Sequence, residues 1–292
     1  MKAVLKVVLS ELKAISMFVL FLVLLILSQK ISGVKNTDAT IINYILYSVV
    51  TYVFLCVLIF FAHKVYRHSV EGYSVNRNIK KNVSKWVFGL VIGLVVCLIT
   101  QIFSWLSGYT TTANPNLIIS YFISTLFFLF AQSCTEEIIF RAFVITEFEK
   151  FKNRGILILG IVLSSLLFAY SHNGHQGFNV FTFITYTFVA LVLSYLFYVT
   201  KNLWLVSGIH AGWNIVSLII FRFTYPTDSP NTSTINIVTN PKGIDAELFG
   251  NKLSVYTIDN IATLTAIILF ALIGTAYLFK YRKAPLNKQK SE

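Results

Sequence analysis

Eight apolar stretches leave this chain few folds to choose from. They run near Ala14–Gln29, Ile41–Ala62, Trp86–Leu106, Leu117–Val144, Ile156–Tyr170, Phe178–Thr200, Leu203–Phe223 and Ile261–Phe279. At ~1.5 Å of rise per residue, such stretches reach across most or all of a bilayer core ~30 Å thick. In lipid a spanning segment must satisfy its own backbone polar groups, so each stretch is expected to be a helix. The expected fold is all-α, a polytopic membrane helical bundle of about eight transmembrane helices. Composition agrees: 12% of residues are charged, half the ~25% of a soluble domain. Met1-Lys2, Lys6 and Lys13 precede the first stretch as in a signal peptide. No small-residue cleavage site follows, so it reads as a retained helix. The fifth stretch is short, and the fourth is long enough to tilt or bend.

The net charge of +12 raises the question of nucleic acid, and its distribution answers against it. Eighteen of the 24 Lys and Arg residues fall on one set of span ends: Lys2, Lys6, Lys13; Lys64, Arg67, Arg77, Lys80, Lys81, Lys85; Lys150, Lys152, Arg154; Lys201; Lys280, Arg282, Lys283, Lys288, Lys290. The opposite ends carry five, and Arg141 lies within a span. The asymmetry is a topology signal that places both termini in the cytoplasm. The expected location is an integral membrane one, in a bacterial cell membrane, with the lipid bilayer as a partner and no nucleic acid. The basic ends also suit anionic lipid heads. The organisation read from this pattern has four parts. Residues 1–116 hold three helices and a basic loop, 63–85. A core spans 117–223, an external loop 224–260, and a last helix with a basic tail 261–292. Cys56, Cys97 and Cys134 all sit in apolar runs, which suits neither a disulfide framework nor a metal knuckle.

Three polar groups interrupt the spans. The first is Glu136, Glu137 and Arg141. A charge at the bilayer centre costs roughly 2.5–3.5 kcal/mol, so acids there signal function. Glu137 and Arg141 are four apart and share a helix face. Glu136 is turned ~100° away and is left available as a general base. The plain alternative is an ion pair that locks helices together. The second group is Phe168-Ala169-Tyr170-Ser171-His172, with Phe168 and His172 one turn apart; taken alone, His172 would anchor a helix end at the interface. The third is His210-Ala211-Gly212-Trp213-Asn214, with His210 and Asn214 one turn apart, and hydrogen-bonded helix glue is its plain alternative. Gly208 and Gly212 on the same helix have the spacing that lets a neighbouring backbone come close. Taken together, these residues favour one shared site for water activation. A carboxylate and a histidine deprotonate water, and a histidine and an asparagine donate to an oxyanion. Glu136, His172 and His210 are also a possible ligand set for Zn²⁺ or another divalent metal.

Glu-Glu-x-x-x-Arg, then Phe-x-x-x-His, then His-x-x-x-Asn on successive spans resembles the CPBP family. This is the CAAX protease and bacteriocin-processing family, also called Abi, which includes the type II CAAX prenyl endopeptidases. The resemblance covers roughly Leu117–Phe223. It implies an intramembrane endopeptidase on an eight-span helical fold. By position, Glu136 corresponds to the essential glutamate, Glu137 and Arg141 complete the first motif, His172 is the second-motif histidine, and His210 and Asn214 are the third motif. The implied roles are water activation by Glu136 and His172 and oxyanion stabilisation by His210 and Asn214. Metal dependence stays open, as do substrate, bacteriocin immunity against peptide processing, and oligomeric state. The implied partner is a membrane peptide or protein substrate. Counting along the spans puts His172 deeper than Glu136. Their meeting would need a fifth helix that begins inside the membrane after an interfacial Phe148–Arg154 segment, or strong tilt.

Two readings of other classes stand beside this one. Intramembrane Glu and His residues also serve proton-coupled transporters, although no duplicated halves or paired broken helices are visible here. A non-catalytic immunity or scaffold protein would keep the fold without turnover. A rhomboid-type serine protease lacks its Gly-x-Ser-Gly, since position 205 is Leu. A His-Glu-x-x-His metalloprotease is excluded by the absence of that string.

Overall fold

The computed structural model describes residues 2–34, 41–66, 78–106, 110–113, 119–172, 180–223, 235–238, 247–248, 251–252 and 268. Helices dominate them. In chain order these are α1 (Lys2–Ser32), α2 (Ile41–Lys64), α3 (Ile79–Leu106), α4 (Ile119–Glu137), a π-helical turn π1 (Ile138–Phe143), α5 (Val144–Glu149), α6 (Arg154–His172), α7 (Val180–Thr200), α8 (Leu203–Asn214) and a second π-helical turn π2 (Ile215–Ile220). Among the described residues five helices are long and apolar enough to cross a membrane: Val4–Ser32, Ile42–Lys64, Ile79–Ile102, Arg154–His172 and Phe183–Thr200. The expected eighth span, 261–279, lies outside the described residues apart from position 268.

The helix starts follow from local sequence. Asn78, Asn153 and Asn202 each accept, through the side-chain oxygen, the amide of the residue three further on, at 3.1, 3.2 and 3.0 Å. This satisfies one of the amides that a helix start leaves without an intrahelical partner. Lys152 and Lys201, each just before such an asparagine, take positive φ values of 51° and 48° to turn the chain.

Two features depart from the sequence reading. The fourth span does not stop near Val144. Glu137 and Val144 both keep right-handed helical angles, so the helix runs from α4 through π1 and α5 to Glu149. Secondly, a small sheet accompanies the helices. Strand β1 (Thr110–Ala113) pairs antiparallel with β3 (Ile235–Val238), which pairs parallel with β2 (Phe221–Phe223). Two further short strands, β4 (Glu247–Leu248) and β5 (Asn251–Lys252), form a hairpin. β3, β4 and β5 fall in the segment 224–260, expected to be an external loop.

The main core collects Met17 and Phe21 of α1, Leu58 of α2, Ile138 to Phe148 of the π1–α5 run, Phe168 of α6, Phe197 of α7 and Val206 of α8. Helices α3 and α8 meet along glycines on both sides. A Cβ on Gly89 or Gly93 would collide with the backbone of Leu205 or Ile209, and one on Gly208 or Gly212 with that of Trp86 or Leu90. The Gly208/Gly212 pair therefore does what its spacing predicts. Its counterpart, Gly89-x-x-x-Gly93, is the same motif on α3. Close backbone approach of this kind fixes how α8 is turned, and α8 carries His210.

Candidate functional site

Glu136 and Glu137 sit where α4 passes into π1. One residue of helix turns the side chains ~100° apart, so the two acids enter different surroundings. Glu137 has no solvent exposure. Its Oε1 accepts from Arg141 Nη1 at 2.9 Å and from His210 Nδ1 at 2.7 Å. Arg141 is equally buried, with its guanidinium 4.3 Å from the centre of the Phe168 ring. The expected Glu137–Arg141 pair is present, but Glu137 does more than neutralise an arginine. It holds the ring of His210, a contact between helices that spacing along the chain could not reveal.

Glu136 faces elsewhere. Its Oε1 accepts from Gln132 Nε2 at 2.9 Å, one turn back on α4. Its Oε2 is buried with no partner. Two imidazole nitrogens stand across from that oxygen, His172 Nε2 at 3.7 Å and His210 Nε2 at 3.8 Å. Both distances exceed a direct hydrogen bond. The other nitrogen of each ring is committed. His172 Nδ1 lies 2.9 Å from the Phe168 carbonyl, which only accepts, so Nδ1 carries a hydrogen. His210 Nδ1 meets the Glu137 carboxylate in the same way. In the neutral rings both Nε2 lone pairs therefore face the site. Three acceptors converge on one small volume, and a water molecule has only two hydrogens to give. Satisfying all three groups takes a water and one further proton, which is the inventory of an acid–base centre.

The scaffold sets this meeting point. A Cβ on Gly160 would overlap the Phe148 ring, so α6 lies against α5 there. Higher up, Ser164 Oγ donates to the Phe140 carbonyl at 2.6 Å, and the Phe140 and Phe168 rings meet edge to face at 5.2 Å. From Phe148 to Glu136 is twelve residues, and from Gly160 to His172 is also twelve. The depth mismatch expected from the spans disappears because the fourth helix continues to Glu149 and counting from Val144 began too high. Phe148 is buried on α5 and is not part of an interfacial segment. Phe168 is the hinge of the packing. Its ring is 4.3 Å from that of His172 and 6.0 Å from that of His210.

Asn214 is the last residue of α8, half-buried and one turn beyond His210. Among the described residues no hydrogen bond ties it to the cluster. Gln132 is the member that the sequence reading missed. Its signal was the four-residue spacing from Glu136, which passed unread because Gln is uncharged. His175 and the 173–176 loop lie outside the described residues.

The same distances bear on Zn²⁺. Tetrahedral zinc at 2.0–2.1 Å from its ligands sets those ligands roughly 3.3 Å apart. The Glu136–His172 and Glu136–His210 separations are 3.7 and 3.8 Å. Among the described residues no group of three or more His, Cys, Asp or Glu side chains is placed to hold a metal ion. The residues as arranged do not fit a tetrahedral zinc.

Residues 115–216 match the family model described as Type II CAAX prenyl endopeptidase Rce1-like. This segment is similar to the CAAX protease family. It contains every site residue named above, and the likeness points to a membrane protease. With five helices apolar enough to cross a bilayer, the chain is an integral membrane protein. No curated protein and no solved structure matches it.

Proposed function

We propose that this protein is an intramembrane endopeptidase that hydrolyses a peptide bond in a membrane-associated peptide or protein through water activated by Glu136 and His172. One observation carries the reading: a buried carboxylate oxygen without a partner, faced by two imidazole nitrogens at a separation that suits one intervening water. A base that takes a proton must be within about 3 Å of it or one water away, and the unpartnered Glu136 Oε2 is the oxygen we assign to that role.

In this mechanism the water lies between Glu136 Oε2 and His172 Nε2. Glu136 takes one of its protons as the water oxygen attacks the scissile carbonyl carbon. The carbonyl π electrons move to oxygen. The oxyanion is met by His210, with Nε2 carrying the further proton of the site, and by the side-chain amide of Asn214. Collapse of the intermediate breaks the C–N bond, and Glu136 returns its proton to the leaving nitrogen. Glu137 and Arg141 touch no reacting atom in this scheme. Glu137 orients His210, and Arg141 balances Glu137. Both termini and the 63–85 loop are assigned to the cytoplasm, following the basic asymmetry. Peptide processing or bacteriocin immunity in a bacterial membrane is the biological setting that this reading favours.

Glu136→Gln keeps the shape and the Gln132 contact but removes the base. Turnover of a membrane peptide by the purified protein should fall by roughly 10²–10⁴ with no loss of thermal stability. Activity of the intact protein should survive exhaustive chelation, checked by elemental analysis. Substantial turnover by Glu136→Gln would end the proposal. Proton-coupled solute uptake into liposomes would replace it with transport.

A further inference from the structure

A second polar cluster lies further along the same helix, where α1 meets α5. Glu147 is 2% exposed, a carboxylate the proposed mechanism does not use. It accepts from Ser10 Oγ at 3.0 Å, Lys13 Nζ at 3.1 Å and Lys150 Nζ at 2.5 Å. Beside it opens a cavity of about 440 Å³ lined by Lys6, Leu9, Ser10, Lys13, Lys150 and Phe151. Lys6, Ser10 and Lys13 are spaced by four and three residues, which aligns them on one face of α1. Three lysines, Lys6, Lys13 and Lys150, line this cavity beside Glu147.

Glu147 holds Lys13 and Lys150 in place, and the Lys13 ammonium, with three donors, gives one of them to it. Lys6 forms no ion pair among the described residues, and its side chain is exposed. The cavity wall is not uniformly polar, since Leu9 is 48% exposed and Phe151 half-buried. The cluster also sits in the first turns of the candidate span Val4–Ser32 and at the turn between α5 and α6. A site of this depth, with fixed cations beside apolar side chains, matches the headgroup region of a bilayer.

We propose that this cavity binds a phosphate-bearing anion, with Lys6, Lys13 and Lys150 as its donors and Glu147 as the post that positions two of them. Leu9 and Phe151 favour the phosphodiester of an anionic lipid over free phosphate. An occupant would join α1 to the α5 end of the helix that carries Glu136 and Glu137.

The test uses the full chain in neutral detergent. Thermal unfolding is followed while phosphatidylglycerol, phosphatidylcholine or inorganic phosphate is added. Phosphatidylglycerol should raise the unfolding temperature saturably, and phosphatidylcholine should not. Lys6→Glu, which breaks no ion pair, should weaken the apparent affinity at least about fivefold, the effect of roughly one lysine near an anionic surface. Lys81→Glu, a basic residue at the start of α3, should leave it unchanged. Stabilisation by inorganic phosphate at millimolar level, lost in Lys6→Glu, would support the same site with a soluble ligand. Overturning results are equal stabilisation by phosphatidylcholine, a Lys6→Glu response identical to wild type, or an equal loss in Lys81→Glu. None of these readings involves peptide cleavage, so they stand or fall apart from the protease proposal.

Discussion

Removing Glu137 should cost more than removing Arg141, and removing both should cost less than removing Glu137 alone. The reason is who is left behind. In Glu137→Ala the guanidinium stays fully buried with its one described hydrogen bond gone, since Nε and Nη2 already lack partners. An uncompensated buried charge costs ~3–5 kcal/mol. The Phe168 face at 4.3 Å returns part of this, roughly 0.5–2 kcal/mol for a cation over a ring. His210 Nδ1 loses its acceptor too, worth ~1.5–3 kcal/mol for a bond to a charged group. The sum is near ~4–6 kcal/mol. In Arg141→Met the volume is largely kept and Glu137 retains His210, so a loss nearer ~3 kcal/mol is expected. The double variant has no orphaned guanidinium and should recover ~2 kcal/mol or more relative to Glu137→Ala. Thermal unfolding in detergent, followed by tryptophan fluorescence, ranks the three variants. A double variant no more stable than Glu137→Ala would refute the pairing argument.

Other outcomes follow from the same geometry. Gly93→Leu should disrupt the α3–α8 contact, because even a Cβ there would strike the backbone of Ile209; a variant with wild-type unfolding temperature and activity would contradict the packing. Asn214→Ala should lower turnover by roughly 10²–10³ with KM little changed, since an oxyanion donor acts mainly once charge develops; a change confined to KM would remove it from that role. Single cysteines introduced at positions 2 and 240, in a background lacking the native three, should label from the cytoplasmic and external sides respectively; position 240 labelling only from the cytoplasm would invert the topology.

Much of the site was legible because its logic is local. Glu137 and Arg141 share a face by counting four, and the structure pairs them. The same count from Glu136 reaches Gln132, and the count on α3 finds Gly89 and Gly93, so both were readable. The His210–Glu137 bond was not. It depends on how α8 is rotated against α4, which α3 fixes through backbone contacts between distant parts of the chain. The end of the fourth span was misplaced for a related reason. Glu147 and Glu149 look like an exit into water, yet Glu147 is buried under α1, paired by Ser10 and Lys13 more than a hundred residues earlier. Period and composition cannot see a partner at that separation. The short strands were hidden because pairing of two to four residues leaves no periodic trace.

The adjacent acids resolve into different jobs because one residue of helix turns their side chains ~100° apart. Both would be ruinous as bare charges inside a membrane, and the chain meets that cost differently for each. Glu137 receives a guanidinium and an imidazole N–H, so its charge is spent on holding other groups still. Glu136 receives only an uncharged amide on one oxygen and nothing on the other. A carboxylate left half-satisfied in a packed interior destabilises the fold unless something comes to fill the gap. The rings of His172 and His210 are held with their second nitrogens toward that gap by bonds they make on their far sides. A purely structural ion pair would need neither the empty oxygen nor the two aimed lone pairs. The water activation we propose, in which a proton is taken and returned, needs both.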